Sequence, residues 1–185
     1  MKAWPALAIM LLALPAAADE VTLVCYNYGC ATEDLVVFSE ERLNWARDLL
    51  AAAANAATER EYLALVVGQF YAWAGEQTPI SADRGGNYAD DGRPGSMDCI
   101  DHSTTTTRFL RLLESRGFLR FHRVEEPAVR HRFIFGQHFT AVIEEIKDIE
   151  GERRYAVDSW FVDNGQPPVI LPLEDWLRGG GPNVN

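Results

Sequence analysis

The apolar residues change their spacing at Gly117, and this restricts the chain to a mixed architecture. Upstream they recur at helical intervals. Ser39 suits an N-cap, and Glu40 and Glu41 suit the positive end of a helix dipole. Leu43, Ala46, Leu50, Ala53, Ala54 and Ala57 then keep one stripe. Thr58 and Glu61 carry a capping-box signature for a second helix. Its apolar face reads as Tyr62, Leu65, Val66, Phe70 and Trp73, and Gly75 ends it. A third helix is expected over 98–116, although the β-branched run Thr104 to Thr107 opposes it. Downstream of Gly117 the apolar runs are short and strand-like, at 118–121, 132–135, 138–146, 154–161 and 169–173, with a turn at Gly151. A short strand at 21–24 precedes the helices, and a helical turn at 174–177 closes the pattern. Helices followed by antiparallel strands define an α+β class.

The first residues read as an address. Met1-Lys2 precedes an apolar run from Ala3 to Leu14, then Pro15-Ala16-Ala17-Ala18-Asp19, a small-residue cleavage pattern. The run is shorter than the roughly 20 residues that span hydrocarbon. The expectation is a signal peptide over 1–18, one domain over 19–185, and a periplasmic or secreted product with no membrane span. Lys and Arg number 17 against 27 Asp and Glu, a formal charge of −10 that repels nucleic-acid backbones and anionic lipid.

Cys25, Cys30 and Cys99 are the three cysteines. Cys25 and Cys30 flank Tyr26-Asn27-Tyr28-Gly29, a turn-like stretch short enough for a disulfide. That pairing leaves Cys99 free; the alternative ties Cys99 to one of the others, or buries it as a small apolar residue.

Cys99 falls at the first turn of the third helix, behind Ser96 and Asp98 as candidate N-caps and a long loop over 78–96. A thiol there feels the positive helix end, which lowers its pKa. His138 opens one strand, and Asp158 lies near the end of the next. An imidazole that accepts the thiol proton, steadied by a carboxylate, makes a nucleophile able to attack a carbonyl. The Cys99 amide is one candidate oxyanion donor; Gln77, Asn87 and Gln137 are candidates for another. Cys99 and His102 with His138 sketch a weaker alternative, a zinc site. His122 and His131, among Arg120, Arg123, Arg130 and Arg132, read as a solvated basic face. Trp160, Phe161 and Trp176 read as core or groove wall.

Gly95-x-x-Asp98-Cys99-x-Asp101, a helix carrying Leu112-Leu113 to Gly117, a strand opening at His138 and one ending in Val157-Asp158 resemble the transglutaminase-like superfamily. Asp98-Cys99-Ile100-Asp101 is similar to the motif of bacterial transglutaminase-like cysteine proteinases, which are periplasmic. The resemblance implies a papain-like fold, with the Cys-bearing helix packed on an antiparallel sheet. It implies Cys99 as nucleophile, His138 as base and Asp158 as orienting acid. The expected function is a thiol hydrolase or acyltransferase, a cysteine protease or amidase, working on an amide of a peptide or protein through a thioester. The alternative is a non-catalytic binding module on the same fold with Cys99 buried. No cofactor is required. The resemblance offers Asp98 and Asp101 as calcium ligands, with Asp90 or Asp91; a cap and a first-turn acid are the plainer reading. Two carboxylates beside the sulfur raise its pKa unless a cation offsets them. His102-Ser103 and the threonines stand where the family places small residues after Cys-x-Asp.

Overall fold

The computed structural model describes residues 18–86, 92–132, 136–146 and 153–182. Residues 1–17 of the expected signal segment, Asn87, Asp90, Asp91, most of the strand expected over 132–135 and the turn at Gly151 lie outside the described residues. A hairpin comes first, β1 (Glu20–Tyr26) and β2 (Thr32–Phe38), paired antiparallel. Helices α1 (Glu40–Ala51), α2 (Ala56–Gly75) and α3 (Cys99–Ser115) follow, with a 3-10 turn over Pro79–Ala82. Strands β3 (His122–Arg132), β4 (Gly136–Glu145), β5 (Arg154–Asp158) and β6 (Val169–Pro172) form one antiparallel sheet in chain order, and α4 (Leu173–Leu177) closes the chain. The fold is α+β. Among the described residues no helix is long and apolar enough to cross a membrane.

Local chemistry explains most of the boundaries. Ser39 caps α1 by accepting the Arg42 amide. The α2 cap is Asn55 rather than Thr58, which sits at N3 and completes the capping box. Helix α2 is apolar on most sides, so periodicity did not fix its inward face: Leu63, Val67 and Tyr71 are buried while Leu65 is exposed. Threonines 105 to 107 are compatible with α3 because each hydroxyl is bonded: Thr105 accepts the Cys25 amide, Thr106 meets Tyr71 and Ser159, and Thr107 donates to the Ser103 carbonyl. Residues 118–121 are not a strand; the strand begins at His122 and runs past Pro127, where the pairing with β4 slips between Glu125 and Ala128.

One face of the β4–β5 pair, with Ala141, Ile143 and Val157, joins the main core with Phe109, Leu110 and Leu113 of α3. Val142 and Ala156 pack on the other face with Leu173 and Trp176.

His122 is not on a solvated face but buried. Its Nδ1–H donates to Glu59 at 2.8 Å, and its Nε2 lies 3.1 Å from Arg60, a guanidinium that can only donate. Glu59 also accepts the Arg120 and Phe121 amides at 2.7 and 3.0 Å. His131 is exposed as expected. Three of the neighbouring arginines are tied down: Arg120 donates to the carbonyls of Ala51 and Ala53, Arg123 pairs with Glu144, and Arg130 donates to those of Trp176 and Gly180. Burial acts to raise the Glu59 pKa, but the bonds from His122 and the two amides bring it below its ordinary 4.5. Because the native value is the lower one, this contribution is complete above the ordinary value and is lost as pH falls through the native one. Glu59→Gln is expected to cost about 3 kcal/mol in urea unfolding at pH 7 and to flatten the loss of stability on the acid side. An unchanged midpoint at pH 7 is the contrary result.

Candidate active site

The β4–β5 register sets Ala141 opposite Val157. Extending it puts Asp158 opposite Thr140, with His138 two residues further along the same face, a diagonal neighbour. The two side chains meet: His138 Nε2 lies 2.7 Å from Asp158 Oδ2, and both are buried. The same carboxylate oxygen accepts Trp176 Nε1–H at 2.8 Å, and Oδ1 accepts the Trp160 amide at 3.2 Å. Rings of Trp160, Phe161 and Trp176 stand around the imidazole, with centroids at 4.9, 5.6 and 5.6 Å. They exclude water, which strengthens the ion–dipole contacts inside. Arg130, cross-strand from His138, stacks on Trp176 at 4.5 Å and fastens the tail through the Gly180 carbonyl.

Cys99 is the first residue of α3, as the sequence predicts. Its sulfur comes up to the backbone of β4 on either side of His138: the Gln137 carbonyl is 3.8 Å away, and the Phe139 amide donates to it. The structure therefore joins His138 to Asp158 and sets Cys99 beside the peptides that flank His138; no hydrogen bond between sulfur and imidazole is among those described. The thiol is half-buried, and burial raises its pKa. The Phe139 amide opposes this, while the charges of Asp98 and Asp158 add to the rise. The expected lowering by the helix terminus is outweighed.

The Cys25–Cys30 disulfide is present and Cys99 is free. Inside the bridge, Asn27, Tyr28, Gly29 and Cys30 have φ of 66, 68, 65 and 55°, a left-handed turn. Three of these residues are not glycine, and each costs about 1–2 kcal/mol there. The turn aims successive amides one way, a nest for anions. Asp101 accepts the Tyr28 and Cys30 amides, and Asp98 accepts that of Gly29 at 3.0 Å. The second oxygen of Asp98 caps α3 through the Ile100 and Asp101 amides. Both carboxylates offered to calcium by resemblance thus hold backbone amides. Burial still raises the Asp101 pKa; the Cys30 amide opposes it and the Asp98 charge adds to it. Among the described residues one cluster has the donors for a metal, Cys25, Cys30 and Asp101, and here its two sulfurs form the disulfide.

The remaining candidates separate. Gln77 is bound to the Val37 backbone at the hairpin edge. Gln137 is exposed beside the sulfur, and Asn87 lies outside the described residues. The three amides that follow Cys99 in α3 are bonded to Asp98. His102 turns to Asp83 and Ser159 with both ring nitrogens, so it does not join Cys99 and His138 in a zinc set. Sequence reasoning missed Trp176 as a carboxylate donor; its position after a four-residue strand gives no such signal.

Comparison with protein-family models, with curated proteins and with solved structures found no match in any of the three.

Replacing Cys25 and Cys30 together by Ser is expected to cost about 2 kcal/mol in urea unfolding. It is also expected to speed hydrogen exchange at the Ile100 and Asp101 amides, whose acceptor the bridged turn holds in place. Unchanged exchange there would show that the turn does not support the start of α3.

Proposed function

We propose that this chain is a thiol hydrolase or acyltransferase acting outside the cytoplasm on amide bonds of peptides or proteins, with Cys99, His138 and Asp158 as its catalytic residues. The observation that carries the reading is the buried Asp158–His138 pair beside a free cysteine at a helix N-terminus. Asp158 can only accept, so Nε2 of His138 carries a proton and Nδ1 is the nitrogen left for chemistry. His138 takes the proton from Sγ as the sulfur attacks the amide carbonyl carbon. The oxyanion that forms is met by the Cys99 amide. His138 then protonates the leaving nitrogen, the C–N bond breaks, and a thioester remains. Water gives up a proton to His138 and displaces the sulfur as an acid; an amine in its place gives a new amide. The thiol proton passes to His138 as an electrophile, a substrate carbonyl or an alkylating agent, comes up to the sulfur, because catalytic hydrogen bonds often close only then. The disulfide is compatible with an oxidising compartment. The transglutaminase-like resemblance agrees with this reading in the order of the three residues.

A second reading, a binding module that does no chemistry, is favoured by the raised thiol pKa and by the backbone partners of the sulfur. One measurement separates the two. Iodoacetamide is expected to modify Cys99 of the native protein at pH 7, and His138→Ala to slow that modification about a hundredfold. A native thiol that stays unmodified favours the binding module. With N,N-dimethylcasein as acyl donor and dansylcadaverine as amine, fluorescence gained by the protein marks transfer, and fragments without label mark hydrolysis. Cys99→Ala is expected to abolish both.

A further inference from the structure

Behind the candidate centre lies a second polar cluster, closed to solvent. His102 Nε2 is 3.0 Å from Asp83 Oδ2, and His102 Nδ1 is 2.9 Å from Ser159 Oγ. Thr106 Oγ1 lies 2.9 Å from the same serine oxygen, Tyr71 Oη lies 3.2 Å from it, and the Tyr71 hydroxyl reaches the His102 carbonyl. Asp83 Oδ1 accepts the Met97 amide at 2.8 Å.

The connectivity Asp–His–Ser is that of a hydrolytic triad, but the setting is not. Asp83, His102 and Ser159 are 0, 3 and 3 % exposed, and the serine oxygen already has three partners. No carbonyl can reach it. The protons fit a fixed chain instead. Asp83 only accepts, so Nε2 of His102 bears hydrogen, while Ser159 donates to Tyr71 and Tyr71 donates to the His102 carbonyl. A buried network with every member satisfied is rigid and specific.

Its placement gives it a use. Cys99, His102 and Thr106 share one face of α3, at i, i+3 and i+7. Ser159 directly follows Asp158, and successive residues of an extended strand end point to opposite sides. Asp158 thus turns to His138 while Ser159 turns back to the helix that carries the sulfur. Met97 and Asp83 tie in the segment just before Cys99. At Gly85 the loop passes so close to Val162 that a Cβ would meet its backbone at 2.4 Å, and the Gly86 amide donates to the Trp160 carbonyl at 2.7 Å.

We infer that His102, acting through Ser159, is a positioning residue: it sets how far the helix bearing Cys99 stands from the strand end bearing Asp158, an inference that rests on the catalytic reading above. It does not touch substrate. Loss of the strut is expected to let the helix and the strand end drift, so that His138 no longer assists the sulfur.

The test is the rate of Cys99 modification by iodoacetamide, followed by mass spectrometry from pH 5 to 9 on the full chain. Wild type is expected to show a limb below pH 7 that His138→Ala lacks. His102→Gln and Ser159→Ala are each expected to lose that limb while remaining folded, with the rate at pH 6 down about tenfold or more. Ser159→Ala removes a single oxygen and keeps the test open where His102→Gln fails to fold. Leu110→Ala, a core truncation on the same helix, is expected to lower the melting temperature and leave the pH profile as in wild type. Folded His102→Gln or Ser159→Ala protein with the wild-type profile overturns the positioning role alone. Identical profiles for wild type and His138→Ala overturn the catalytic reading and the strut with it.

Discussion

Asp158 is a carboxylate with almost no water, 1 % exposed, and the arrangement around the candidate centre follows from that. An ionised group taken out of water costs several kcal/mol unless its lone pairs are met. Here the donors come from three separate stretches of chain: His138 from β4, the Trp160 amide from the turn after β5, and Trp176 from α4. Each must be in place for the others to be worth burying. This gives the short terminal helix a role beyond covering apolar surface, and it explains why Arg130 holds the Trp176 and Gly180 carbonyls. A tail that frayed at Trp176 would leave Asp158 short of a donor.

The molecule pairs a histidine with a buried carboxylate three times among the described residues: His122 with Glu59, His102 with Asp83, His138 with Asp158. The three differ in the second ring nitrogen. That of His122 lies against Arg60, and that of His102 against Ser159. For His138, Nδ1 has no hydrogen bond among the described residues, and the sulfur of Cys99 lies against the adjoining peptides. Two of the rings are therefore closed structural links, while the third keeps one nitrogen without a hydrogen bond among the described residues. The distinction rests on donor counting, and it is the physical reason the catalytic proposal takes the third pair and leaves the first two as architecture.

Much of this was legible in the residues. The N-caps Ser39 and Asp98 act through nearest neighbours, so the starts of α1 and α3 could be read directly. The short spacing of Cys25 and Cys30 pointed to their bridge, which the structure contains. Strand β2 was overlooked because its outward face is itself apolar, with Leu35 and Val37 exposed, so alternation is blurred. Strand β3 was hidden by charge and by Pro127; its Arg123 and Arg130 find partners only in the folded state, on β4 and on the tail. His122 looked like a surface residue for the same reason. Its acceptor, Glu59, is far away in sequence, and nothing local signals a buried acid at the start of α2. Trp176 was readable as core but not as a donor, since that role depends on where β5 ends.

The electrostatics at Cys99 then decide what kind of centre this can be. Burial and two carboxylates push the thiol up, and backbone amides oppose them without prevailing. A cysteine in that state is not a standing thiolate, which in an oxidising compartment protects it from disulfide exchange. Asp98 is the larger source of negative potential of the two carboxylates, and the left-handed turn between Cys25 and Cys30 places an amide on it while two others hold Asp101. Dipoles of the hairpin thus offset charge that would otherwise bear on the sulfur more strongly. In the proposed mechanism ionisation is completed from the other side, by an imidazole that gains positive charge next to Asp158. Under the proposed reading such a centre stays quiet until an electrophile enters and proton transfer becomes favourable. In that mechanism the cost of keeping the thiol neutral is recovered as selectivity for the moment of attack.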